Sequence, residues 1–212
     1  MLLISLSVNP RPKHATFHTR KRYLQAEKTS RMNENLELIF EFETAEKYNE
    51  AYSLYQKLIS ENNSDFETWK YYFFFLWSMI ENVIGQFTKV IDLRTELETE
   101  LKNGLNKYSE FAEFNFIAGY AISIFPYEFG EYEKLDIKGK QMLKKASEME
   151  PSNPIYKMAY LGSQVLNEKE QNLYKKACAE SKPILKTKYT GKGLLNGYFN
   201  QVFNRDEKKA SR

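Results

Sequence analysis

The sequence predicts an all-α protein, an α-solenoid of irregular antiparallel helix pairs. Three observations carry the prediction. Charged residues make up 28 % of the 212-residue chain, yet there are only nine glycines and six prolines, a balance that favours long helices over many short strands joined by tight turns. Apolar residues recur three and four apart through most of the chain. The periodic stretches are separated by short polar breaks such as SENNSD and EPSNP.

Residues 1–31 show neither helical nor strand period and are rich in Arg, Lys, His, Ser and Thr, so they read as a disordered basic tail. A start at Met32, with the preceding stretch an upstream extension of the reading frame, is the equally weighted alternative. The opening MLLISLSVNP has no charge before it and no small-residue cleavage pattern after it, so it does not read as a secretion signal. A single helical domain is expected over 32–204, and 205–212 reads as a second basic tail.

Helices follow in order. Leu36, Ile39, Phe40 and Phe42 start a stripe, and Tyr48, Ala51, Tyr52, Tyr55, Leu58 and Ile59 form the next. The third holds WKYYFFFLW at 69–77, seven aromatic rings in nine positions. Its helix is placed at about 66–84, with Asp65 as the capping residue and Glu67 as an acid in the first turn. The run is too short to span a membrane, which takes roughly 20 apolar residues. Val90, Leu93, Leu97, Leu101 and Leu105 mark a fourth helix with a charged outer face; SEFAEFNFIAGYAISIF makes a fifth, stopped by Pro126. IKGKQMLKKASEM, IYKMAYLGSQVL, EKEQNLYKKACAE and LLNGYFNQVF complete the series.

Charge is unevenly spread. Residues 1–31 carry seven Lys/Arg against one acid, residues 32–150 carry 12 against 22, and residues 151–212 carry 12 against five. The net +3 therefore hides an acidic middle, which suits a basic protein partner and repels nucleic acid. Lysines interleaved with Tyr189, Tyr198 and Phe199 are compatible with RNA, but solvated lysines on a terminal helix explain them as well. The lone cysteine, Cys178, makes no internal disulfide and no CxxC motif, which fits a reducing cytoplasm.

Ala51, Tyr55, Leu58 and Asn63 fall at intervals of four, three and five, and Gly139, Leu143, Ala146 and Pro151 repeat them. Trp69 stands six residues after Asn63. This pattern resembles the tetratricopeptide repeat, over about residues 35–183. Small residues let the helices of a pair cross closely, and large ones fill the space between pairs. Ala118 and Gly119 take close-approach positions in a further first helix, while Phe73 stands where the family prefers glycine and no small residue appears near Asp92. The intervals from Trp69 to Asn115 and on to Lys157 exceed the family period of roughly 34.

Catalytic chemistry finds little support. His14 and His18 are the only histidines and lack a third ligand, so no metal site or cofactor is expected. Glu96, Glu98 and Glu100 read as a solvated surface, because residues two apart do not share a helix face; Glu128, Glu131 and Glu133 lie in a loop. Thr190–Gly193, TGKG, fails the phosphate-loop spacing and reads as a turn before the last helix. Cys178 reads as a small packed residue.

The resemblance implies a concave surface lined by first helices, with Glu67, Lys70, Phe74 and Trp77, joined by Glu113, Phe116 and Tyr120, turned toward a protein partner. Trp69, Tyr72 and Phe73 are expected in the core. The expected role is a non-catalytic binding module, most specifically a cytoplasmic inhibitor that resembles bacterial immunity proteins and masks a basic toxin domain such as a nuclease. The alternative is a tetratricopeptide adaptor or co-chaperone that captures peptide segments, although no lysine and asparagine clamp is evident.

Overall fold

The computed structural model describes residues 32–61, 65–81 and 92–204. Helix α1 covers 32–44, followed by α2 (Tyr48–Glu61), α3 (Phe66–Glu81), α4 (Leu93–Tyr108) and α5 (Ala112–Ile124). A 3₁₀ turn at Pro126–Glu128 leads to α6 (Tyr132–Met149), α7 (Pro154–Gly162), α8 (Glu168–Lys188) and α9 (Leu194–Phe203). No strand occurs among the described residues, so the all-α class is as the periodicity predicts. No helix among them is long and apolar enough to cross a membrane. The two proposed tails, the two histidines, and Asn63 and Val90 lie outside the described residues.

Helix ends follow local chemistry. Asp65 Oδ2 accepts the Thr68 N–H at 2.7 Å, and Asp92 Oδ1 accepts that of Thr95 at 3.1 Å, each satisfying a first-turn amide. Asn167 and Glu170 form a reciprocal capping box at α8. That helix runs eight residues past the predicted stretch, through Pro183. Pro183 and Ala179, whose carbonyl loses its amide partner there, are both exposed, so the missing bond falls on the solvent side of the helix.

Helices pack against their sequence neighbours from α2 to α9. In addition α3 touches α5, α5 touches α7, and α9 returns to lie against α3. Glycines set the closest approaches. A Cβ on Gly119 would lie 3.1 Å from the Gly139 carbonyl oxygen, and one on Gly139 2.8 Å from the Ser123 nitrogen, so α5 and α6 cross nearly backbone to backbone. Gly104 does the same for α4, where a Cβ would meet the rings of Trp69 and Phe114 at 2.5 Å. The small residue absent near Asp92 is thus supplied three turns later.

The core runs through α3 and α5. From Thr68 to Met79 every α3 residue but Tyr71 is buried, and so is every α5 residue from Phe114 to Ile122. A helix apolar on all sides must be surrounded, and these two are.

Candidate functional site

The inner face of α3 and α5 is where the sequence places the binding residues, and the protein covers most of that face with its own α9. Phe74 is 1 % exposed, Trp77 2 %, Phe116 0 % and Tyr120 5 %. Phe199 packs its ring, tilted or edge-on, with its centroid within 5.4 Å of those of Phe74, Phe116 and Tyr120, Tyr198 packs edge-on to Trp77 at 5.3 Å, and Phe203 closes on Phe116 and Tyr120. These four residues therefore belong to one aromatic core with Trp69, Tyr72 and Phe73. The expectation that WKYYFFFLW divides between core and groove gives way to burial of all seven rings except the half-buried Tyr71.

The signal for this was present. Residues 72–77 of α3 offer no polar face, and LLNGYFNQVF puts Leu195, Phe199 and Phe203 on one stripe that needed a partner.

Two bonds fix the start of α9. Glu43 Oε2 accepts the Leu194 N–H at 2.8 Å, and Glu43 Oε1 accepts the Tyr55 hydroxyl at 2.8 Å. Gly193 precedes the helix at φ 97°, a conformation open chiefly to glycine, and a Cβ there would meet Phe40 at 2.7 Å. Burial pushes the Glu43 carboxyl up to about 7, against the opposing pull of both hydrogen bonds.

The charged members of the predicted site pair with one another, Lys70 and Glu113 largely covered and Glu67 exposed. Lys70, 6 % exposed, donates to both carboxylate oxygens of Glu67 at 2.8–2.9 Å and lies 3.6 Å from Glu113. Burial pulls the ammonium down, but Glu113 and Glu67, with Tyr71, outweigh it and its pKa is raised. Glu113 Oε1 also lies 3.5 Å from Lys188. The acidic charge expected to face a partner at Glu113 is held between two lysines.

Glu96 and Glu100 correct a further expectation. Glu96 accepts the hydroxyls of Tyr52 and Tyr72 and the amide of Gln56, and Glu100 is 7 % exposed. Both lie in phase with Leu93, Leu97 and Leu101 on the stripe that faces the core, which spacing by four rather than two would have shown. Glu128 is likewise not a loop acid in solvent: it is 6 % exposed, its Oε1 accepts a hydrogen bond from Arg94 Nη2 at 3.1 Å, and its Oε2 lies 2.7 Å from Arg94 Nε as an ion pair. Burial and the neighbouring Glu128 raise Glu81 to about 7.

Exposed large apolar side chains lie elsewhere, singly at Leu38, Phe111, Val165 and Leu173 and as a group at the junction of α5 and α6. Ile124 is 42 % exposed, Tyr127 53 %, Tyr132 59 % and Ile137 57 %, beside the exposed acids Glu131 and Glu133. A cavity of about 290 Å³ opens at the same corner, where α5, α6, α7, α8 and the end of α9 converge. Ile124 and Phe203 form apolar parts of its wall, and Asp136 and Lys140, paired at 2.7 Å, form a charged one. An amphipathic edge with its own recess is suited to receiving a protein side chain.

Among the described residues no group of three or more His, Cys, Asp or Glu could hold a metal ion, and Cys178 is a buried free thiol. Compared with protein-family models, curated proteins and solved structures, the chain has no match.

Proposed function

We propose that the chain is a non-catalytic protein-binding module, an irregular tetratricopeptide-like array that acts in the cytoplasm as an immunity-type inhibitor of a basic toxin domain. The array reading is supported by the α3–α5–α7 sequence of contacts and by the Gly119–Gly139 crossing at positions the repeat reserves for small residues. The observation that carries the functional reading is the α5–α6 edge, where Tyr127, Tyr132 and Ile137 stand exposed beside Glu133 and beside Glu131, which pairs with the exposed Lys134 at 2.6 Å. Exposed rings give contact area at low entropic cost, and adjacent acids steer a cationic surface toward it. An adaptor that reads peptides would need the inner groove open, and α9 fills it.

The test is co-expression with the product of the adjacent reading frame in the native host, followed by binding kinetics on the purified pair. One tight basic partner is expected. Its association should slow at least tenfold at low salt when Glu131 and Glu133 are both replaced by lysine, and its dissociation should quicken with Tyr132→Ala. Recovery of many weak peptide ligands would remove the inhibitor reading.

A further inference from the structure

The cavity at the end of α9 has an electrostatic character that its contents do not use up. Two helices end on it: Ser123 and Ile124 belong to the last turn of α5, and Gly162 and Ser163 to the end of α7. Carbonyls of both last turns accept local hydrogen bonds, among them Ala121 from Phe125 and Tyr160 from Ser163, and the aligned peptide dipoles still place partial negative charge at each C-terminus, which favours a cation between them. Tyr120, Tyr174 and Phe203 line the same space, and aromatic side chains there can receive a cation. The full negative charge present is Asp136. Its partner Lys140 comes from one turn along α6 and bonds to Oδ2, with both side chains partly open to solvent at 26 % and 37 %. An exposed pair of this kind holds weakly and can be exchanged.

We propose that this cavity is the receptor for one arginine side chain of the partner, whose guanidinium takes Asp136 in place of Lys140 while its stem lies against Ile124 and Phe203. Arginine suits the site better than lysine. Its planar fork can bond both carboxylate oxygens at once, it stacks on aromatic rings, and it gives up water more readily than an ammonium. Lys140 then serves as an internal stand-in that keeps Asp136 neutralised until the partner arrives. The inference rests on the basic-partner reading for the source of the arginine, and on the cavity alone for the chemistry.

The probe is N-acetyl-arginine methylamide, titrated into the isotope-labelled full chain and followed by amide chemical shifts. Saturable perturbations are expected at Ser123, Ile124, Asp136, Gly162 and Ser163, with a dissociation constant on the order of 1 mM for so small a ligand. The uncharged citrulline counterpart should bind at least tenfold more weakly. Asp136→Asn should cost at least tenfold, and Lys140→Gln should tighten binding several-fold by removing the competitor. Both replaced side chains are partly exposed, and an unchanged far-field spectrum would confirm that each variant is folded. Equal binding of citrulline, preference for N-acetyl-glutamate methylamide, or perturbations confined to other surfaces would overturn the proposal. The probe needs no partner, so its binding alongside a failed partner search would remove the inhibitor reading and leave the arginine site standing.

Discussion

Glu43 on α1 and Leu194 on α9 are 151 residues apart in the chain and 2.8 Å apart in space, the carboxylate accepting the first amide of the helix that closes the core. An anion at a helix N-terminus is electrostatically favourable, yet this one is 4 % exposed and burial wins, leaving its pKa at about 7 against an ordinary 4.5.

A pH dependence follows from that difference. Because the folded state holds the Glu43 proton more tightly than the unfolded chain does, stability is greatest below about pH 4.5 as far as this group is concerned. It falls as pH rises toward 7, by about 3 kcal/mol from the size of the shift. Glu81 titrates in the same window and direction. The useful measurement is therefore the difference between the protein and Glu43→Gln in urea unfolding from pH 5 to 8. The variant, which keeps a carbonyl for the Leu194 amide, should show the shallower decline. Parallel curves would mean that Glu43 is ionised at no cost.

Trp77→Ala should destabilise the protein by about 3–5 kcal/mol, the ordinary cost of emptying a buried tryptophan site. The ring is 2 % exposed and packs on Phe74, Phe125 and Tyr198. Phe199→Ala should cost about as much, although it lies on α9 and 122 residues further along the chain. Denaturant midpoints decide it. A Trp77→Ala protein with wild-type stability and impaired partner binding would restore the open-groove arrangement and displace α9 from its role.

Two glycines should respond oppositely to alanine. At Gly104 the new methyl would stand 2.5 Å from the rings of Phe114 and Trp69, and a loss of about 1–3 kcal/mol is expected from overpacking. At Gly197, exposed within α9 with nothing within 4 Å, alanine should add about 0.5–1 kcal/mol through helix propensity. Thermal melts of both variants compare the two; a stabilised Gly104→Ala would mean that α4 and α3 are not in contact as described.

Lys70 and Glu113 should behave as a coupled pair. Removing the acid leaves a nearly buried ammonium with Glu67 alone, so Glu113→Gln should cost about 1–3 kcal/mol, and Lys70→Met should cost less because an apolar chain suits the same space. In the double variant the losses should fall short of their sum. Strict additivity in a double-mutant cycle would show that the 3.6 Å approach carries no energy.

Much of the helix order was legible because the period of apolar residues survives even where composition is unusual. Asp65, Pro126 and the TGKG turn punctuate the chain where their chemistry says they should. What sequence reasoning missed was which surfaces meet. A stripe of apolar residues declares that something covers it and is silent about what, so Phe74, Trp77, Phe116 and Tyr120 read as a groove for a stranger rather than a seat for residues 195–203. Glu96 and Glu100 were misplaced for a related reason: an acid within an apolar stripe makes sense only with its partners in place, the hydroxyls of Tyr52 and Tyr72 from other helices for Glu96 and the Asn103 amide for Glu100. The α5–α6 edge and its cavity were not visible at all, since Ile124, Asp136, Gly162 and Phe203 are brought together only by the packing of five helices.

The seating of α9 also bears on how the protein is made. The rings of α3 and α5 are synthesised long before Phe199 and Phe203, and until those residues leave the ribosome the nascent chain carries a sticky, half-built interior. A chain that lacked 194–203 would leave the rings of Phe74, Phe116 and Tyr120 without the cover of Phe199 and Phe203, so the last helix completes an interior laid down before it.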